Sequence, residues 1–174
     1  MPDRTLTITW DDPLPTAAAA RRLSGLDFLR AMLRGEYPPP PMAMMLGFRL
    51  KAVEPGRVVF RGEPGEMHYN PIGVVHGGLA ATLCDSAGGC AVATMLPAGV
   101  GYTTLEIKVN FVRPLTRDTG PVECEARVLH AGGRVATAEA RLTDAAGRLC
   151  AHATTTCLIL RPDAPRPGAG APPG

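Results

Sequence analysis

Aromatic residues are scarce in this chain, with one Trp, three Tyr and four Phe among 174 residues. A base-stacking platform for nucleic acid needs more rings than that. Charge of one sign is also lacking. Eighteen Lys and Arg against sixteen Asp and Glu leave a net charge of +2, too even a balance for a protein that neutralises phosphate backbones, and no nucleic-acid partner is expected. The five cysteines are an odd number without a Cys-x-x-Cys pair, which argues against a disulfide scaffold. His68, His130 and His152 have no metal-ligand spacing with those cysteines, so neither zinc nor another cofactor is expected. No Gly-x-Ser-x-Gly elbow, His-Glu-x-x-His pair or phosphate loop occurs. With no signal-like start, the expected compartment is the reducing cytoplasm.

What is present suffices for one core. Hydrophobic residues make up 45% and charged residues 20%, and a chain of this length hides roughly 70% of its extended-state surface on folding. Glycine and proline are abundant, but twelve of the eighteen prolines lie outside residues 46–160. That distribution marks an N-terminal arm over residues 1–23, a single domain over 24–160, and a Pro/Gly/Ala-rich tail over 161–174 expected to be disordered. Both ends are expected to be dispensable for catalysis.

Local patterns give an order of elements. Ala17–Ala20 suits a short helix without an assignable role. A helix is expected from Ser24 to Arg34, capped by Ser24, with Leu26, Leu29 and Leu33 at helical spacing and Gly35 as its stop. Pro38–Pro41 predict a stiff extended connector. Strands are expected over Leu46–Ala52 and Arg57–Gly62, split by the Pro55-Gly56 turn. Residues 77–96 are apolar or small almost all round, which predicts a buried helix. Asp85 and the Gly88-Gly89 pair argue against a membrane span there. From Thr104 onward the chain reads as strand. Leu105, Ile107, Val109 and Phe111 alternate with Thr104, Glu106, Lys108 and Asn110 in a period of two. Strands over Pro121–His130, Arg134–Asp144 and Arg148–Leu160 follow, with hairpin turns at Gly132-Gly133 and Ala146-Gly147. The expected fold is α+β: one six-stranded antiparallel sheet wrapped around a long buried helix.

Candidate chemistry concentrates in Asn70-Pro71-Ile72-Gly73-Val74-Val75-His76-Gly77-Gly78 and in Asp85, the only charged residue between His76 and Glu106. A carboxylate on a helix built for burial calls for a partner, a wet subunit boundary or a catalytic task. At His76-Gly77-Gly78 a helix begins, so N–H groups without intrahelical partners point outward. The glycines allow close approach of a carbonyl oxygen to them. Taken singly, His76 reads as a loop residue, Asn70 as a turn residue and the Gly-Gly pair as a tight junction; their combination points to a site.

These residues, together with Thr104-x6-Phe111-x-Arg113-Pro114, resemble the hotdog-fold acyl-CoA thioesterases of the phenylacetate-degradation (PaaI-like) type over residues 45–160. The Asn-to-His spacing of six and the His-to-Asp spacing of nine carry the resemblance. It implies a thioester hydrolase in which Asp85 activates or replaces the attacking water. The Gly77 N–H polarises the carbonyl, Asn70 and His76 hold the carbonyl and the loop, and Thr104 orients the water. It also implies self-association to a dimer or tetramer, with the site at the subunit interface. Gly78, Arg113 and Arg134 are candidates for contacts with coenzyme A. Geometry agrees with a shared site, because Gly77 and Asp85 are eight residues apart on one helix, a rise of about 12 Å. A non-catalytic acyl-CoA-binding module on the same fold is the alternative.

Overall fold

The computed structural model describes residues 4–162. The tail expectation therefore lies almost entirely outside the described residues. A six-stranded antiparallel sheet in the order β1-β2-β4-β5-β6-β3 curves around one helix. Its strands are β1 (Phe48–Glu54), β2 (Arg57–Gly62), β3 (Gly101–Phe111), β4 (Val122–Ala131), β5 (Val135–Asp144) and β6 (Leu149–Leu160). The helices are α1 (Pro13–Ala20), α2 (Gly25–Leu33), α3 (Pro41–Leu46) and the central α4 (Gly77–Ala93). None of the helices among the described residues is long and apolar enough to cross a membrane.

Helix α2 follows its sequence signals. The Ser24 hydroxyl accepts from the Asp27 N–H at 3.1 Å and donates to the Asp27 carboxylate at 2.7 Å. At the other end Gly35 takes φ +80°, and the Glu36 N–H reaches back to the Ala31 carbonyl at 3.0 Å, the closure that a left-handed residue after a helix permits. The proline connector needs correction. Pro41 does not extend it but opens α3, because the first helical position tolerates the missing N–H and the fixed φ of proline.

Helix α4 buries Leu79, Ala80, Leu83, Cys84, Ala87, Gly88, Gly89, Ala91 and Val92 against the sheet. The two adjacent glycines set its distance from the strands. A Cβ on Gly88 would stand 2.8 Å from Thr155 Cγ2, and one on Gly89 2.7 Å from the Tyr102 hydroxyl. The helix is not buried all round, as its composition suggests. Gly78 and Asp85 are exposed and Ala81, Thr82 and Ser86 half-buried, a stripe of small residues at helical spacing that faces away from the sheet. Four of the five cysteines are buried core residues and Cys90 is half-buried; all five are free thiols.

Strand β3 departs from simple alternation. Thr104 pairs with Cys157 and Glu106 with Thr156, leaving Leu105 as a bulge. The extra residue turns the strand over. Tyr102 and Thr104 before it, and Ile107 and Val109 after it, all lie on the more buried side, while Leu105 is 60% exposed. A strict period of two would have set Thr104 opposite Ile107; the bulge brings them to one face.

Candidate active site

Two separate concave regions hold the candidate residues. The first, at the start of α4, is a cleft of about 510 Å³ lined by His76, Gly77, Gly78, Phe111 and Arg113 among others. Asn70 builds the approach to it. Its side-chain oxygen accepts from the N–H groups of Ile72 at 3.1 Å and Val74 at 3.3 Å, and its own N–H donates to the Val74 carbonyl at 2.8 Å. The loop closed in this way delivers His76 as the N-cap of α4. His76 Nδ1 accepts from the Gly78 N–H at 2.8 Å, and its own N–H donates to the His68 carbonyl at 2.7 Å.

Both glycines have a geometric reason. A Cβ on Gly78 would stand 2.9 Å from His76 Nδ1 and spoil the cap, and one on Gly77 would stand 3.0 Å from the ring of Phe111. With the Gly78 N–H committed to His76, the Gly77 N–H is left without a hydrogen-bond partner among the described residues. A free N–H on the first turn of a 17-residue helix combines a donor with the positive end of the helix dipole, the arrangement that stabilises a developing oxyanion.

The second region lies further along α4. Asp85 is exposed in the isolated chain rather than buried and unpaired. The reason is the open stripe of the helix, which the composition of residues 77–96 conceals. Asp85 nevertheless has a partner, since the Thr104 hydroxyl donates to its Oδ1 at 3.0 Å. The two residues share the wall of a cavity of about 940 Å³ with Ser86, Cys90 and Tyr102. Burial, and after it the charge of Asp85, pushes the Cys90 thiol up to about 12, and burial chiefly raises the Tyr102 phenol. Both therefore stay protonated at neutral pH.

Within one chain the structure thus brings Asp85 to Thr104 and gathers His76, Gly77 and Gly78 in one cleft, with Asn70 closing the loop that leads to them, but it does not bring Asp85 into that cleft. Arg113 belongs to the first cleft, and its Nη1 donates to the Leu149 carbonyl at the start of β6 at 3.1 Å. Arg134 is not beside it. The Arg134 carbonyl accepts from Ile159 near the far end of β6, about 30 Å away at 3.3 Å per residue. Sequence reasoning missed Tyr102 and Cys90 as cavity residues, although the period-two relation of Tyr102 to Thr104 was a usable signal. It also assigned no role to the N-terminal arm, whose Asp11, Pro13, Thr16, Ala17 and Ala20 line the same cavity as Asp85.

Known proteins share this fold. The family model of the thioesterase superfamily matches residues 72–151. A Saccharolobus solfataricus protein named as an esterase is 36% identical over 109 residues, 63% of this chain and 76% of that protein. The 1,4-dihydroxy-2-naphthoyl-CoA hydrolase of Listeria monocytogenes is 25% identical over 116 residues, 67% of this chain and 93% of the relative. Among solved structures, a Ralstonia eutropha protein named as a thioesterase related to phenylacetic acid degradation superposes with a TM-score of 0.68 at 31% identity, covering 74% of this chain and 97% of that one. Fold, motif spacing and these likenesses converge: the chain belongs to the thioesterase superfamily and is a hotdog-fold thioester hydrolase.

Proposed function

We propose that the protein hydrolyses acyl-CoA thioesters at a site shared between two subunits of a homodimer, itself able to pair into a tetramer. The observation that carries this reading is the division of the chemistry along α4. An oxyanion donor at Gly77 and a carboxylate at Asp85 open into different concave regions of one chain, whereas a reaction centre needs both within about 3–3.5 Å of the reacting atoms. A two-fold axis beside the open stripe of α4 would set Asp85 and Thr104 of one subunit against Asn70, His76 and Gly77 of the other, giving two equal sites. Strand β3 supports it further, because it is a sheet edge of eleven residues with Leu105 and Phe111 each 60% exposed. An edge of that length calls for a partner strand.

The mechanism follows from these groups. Thr104 holds the Asp85 carboxylate, which takes a proton from water as the oxygen attacks the carbonyl carbon. The negative charge that develops on the carbonyl oxygen meets the Gly77 N–H of the other subunit. Collapse of the tetrahedral intermediate breaks the C–S bond; the acid remains, and the thiolate leaves and is protonated. Antiparallel pairing of two β3 edges would carry the Arg113 end of one chain to the Arg134 end of its partner. Two guanidinium groups at opposite ends of β6 would then border one site, suited to coenzyme A phosphates.

The test is thiol release from an acyl-CoA panel spanning short, medium, long and aromatic groups. Asp85→Asn keeps the size and hydrogen bonding of the side chain but removes the base, and turnover should fall on the order of 10²–10⁴-fold with little change in affinity. Near wild-type turnover in that variant would end the assignment of Asp85 as base.

A further inference from the structure

The cavity beside Asp85 does not end at the residues that the sequence motif picks out. Its outer wall is the N-terminal arm, which is tied at both ends. Arg4 Nε pairs with Glu66 at 2.8 Å, and the Arg21 carbonyl accepts from the Gly99 N–H at 3.1 Å. Between these anchors α1 passes over the opening with no buried residue of its own, so its hold on the protein rests on the two ties and on short contacts with α2. Beneath it the walls are apolar, with Phe28, Leu29, Met32, Phe48, Leu50 and Phe60 facing the space.

A second cavity of about 300 Å³ lies further along α4. The two share Ala20, Phe28, Leu29, Cys90 and Tyr102 as lining residues, so these side chains are the partition between them. Along α4 the first cavity is bordered by Asp85, Ser86 and Cys90, the second by Cys90 and Ala93. Asp85 to Cys90 at the partition is five residues, about 7.5 Å of helix, and Asp85 to Ala93 in the second cavity is about 12 Å. An apolar space that runs this far along one helix suits an extended chain better than a compact ring.

We propose that the arm and Phe28 build an acyl channel for linear chains of about six carbons, running from Asp85 along α4 under α1 with its far limit at Phe28 and Tyr102. The proposal rests on the thioesterase reading for the position of the carbonyl. All residues of its roof, and Phe28, precede the stretch matched by the family model, so the chain-length limit is a property of this N-terminal segment. The hydroxyl of Tyr102 stays protonated and presents a neutral end to the channel.

Selectivity between acyl lengths separates this from a merely structural arm. Each buried methylene favours the longer substrate by about fourfold in kcat/KM. Ala20→Phe, at the end of α1 where no residue is buried, narrows the channel at the partition. It should lower the kcat/KM ratio of hexanoyl-CoA to butyryl-CoA at least tenfold, the loss of about two methylenes of burial. Phe28→Ala joins the two cavities and should raise the ratio of decanoyl-CoA to hexanoyl-CoA at least fivefold. Ratios within twofold of wild type in both variants would overturn the channel. Calorimetric titration with hexanoic acid keeps the two readings apart. If the wild-type protein cleaves no thioester yet binds hexanoic acid, and Ala20→Phe weakens that binding tenfold or more, the channel stands and the thioesterase reading falls. Thioester cleavage with unmoved ratios leaves the thioesterase reading standing and removes the channel.

Discussion

Subunit complementation tests the shared site most directly, and the backbone at the start of α4 admits its second variant. Gly77 is the first residue of α4, where proline is tolerated. His76 before it already has φ −61° and ψ 135°, the extended conformation that a residue preceding proline adopts. Gly77→Pro therefore deletes one N–H that no other described residue uses. A Cβ at this position meets the ring of Phe111 at 3.0 Å, a side chain 60% exposed in the isolated chain. Loss of an oxyanion donor costs about 10²–10³-fold in kcat, and Asp85→Ala about 10²–10⁴-fold for the lost base. Each parent is then close to inactive while folded. A heterodimer of the two carries one site with both groups intact and one lacking both. Statistical exchange makes about half the dimers mixed, so an equimolar mixture should recover about one quarter of wild-type activity, and heterodimers isolated by two affinity tags about one half. The readout is thiol release before and after exchange, with circular dichroism on each parent. Isolated heterodimers as inactive as their parents would show that Gly77 and Asp85 do not serve a common centre across the interface.

Three further predictions concern supporting residues. Thr104→Val removes the hydroxyl that holds the Asp85 carboxylate and should lower kcat about tenfold, the value of one charge-assisted hydrogen bond at its lower end, with Thr104→Ser restoring most of it. Gly88→Ala should destabilise the fold by about 1 kcal/mol net in chemical denaturation. Its Cβ would press on Thr155 Cγ2, and Thr155 is fixed by its bond to the Glu106 carbonyl, so overpacking outweighs the better helix propensity of alanine; Thr155→Ser in the same chain should recover the loss. Burial holds the pKa of His68 below its usual value, and its Nδ1 accepts from the Gly65 N–H at 3.0 Å, which requires the neutral ring. A histidine with a depressed folded pKa contributes stability that is present above its unfolded value and lost as pH falls. The denaturation midpoint should therefore drop below about pH 6.5, and a His68→Gln variant should show a shallower dependence across the same range.

Much of this protein was legible in its residues because the signals are local. The Ser24 cap, the Gly35 stop, the period-two strands and the turns at Gly132-Gly133 and Ala146-Gly147 act over a few positions. The structure returns β4, β5 and β6 within one residue of the expected limits. The motif residues at the loop and helix start were legible for the same reason. Asn70 closes its loop on Ile72 and Val74, and His76 caps the helix through Gly78, all by bonds spanning two to four residues.

What tertiary structure alone decided depends on contacts distant in sequence. The bulge at Leu105 arises from the pairing of β3 with β6 some fifty residues on. Without it Thr104 would face away from Asp85, since one extra residue exchanges the two faces of a strand. The exposure of Asp85 depends on which stripe of α4 the curved sheet leaves uncovered, and composition that is small and apolar on every side does not mark that stripe. The arm's place over the Asp85 cavity comes from Arg4 reaching Glu66 across 62 residues and from Arg21 meeting Gly99. Its own residues have no periodic pattern to announce a surface, so only the packed domain beneath it assigns them one.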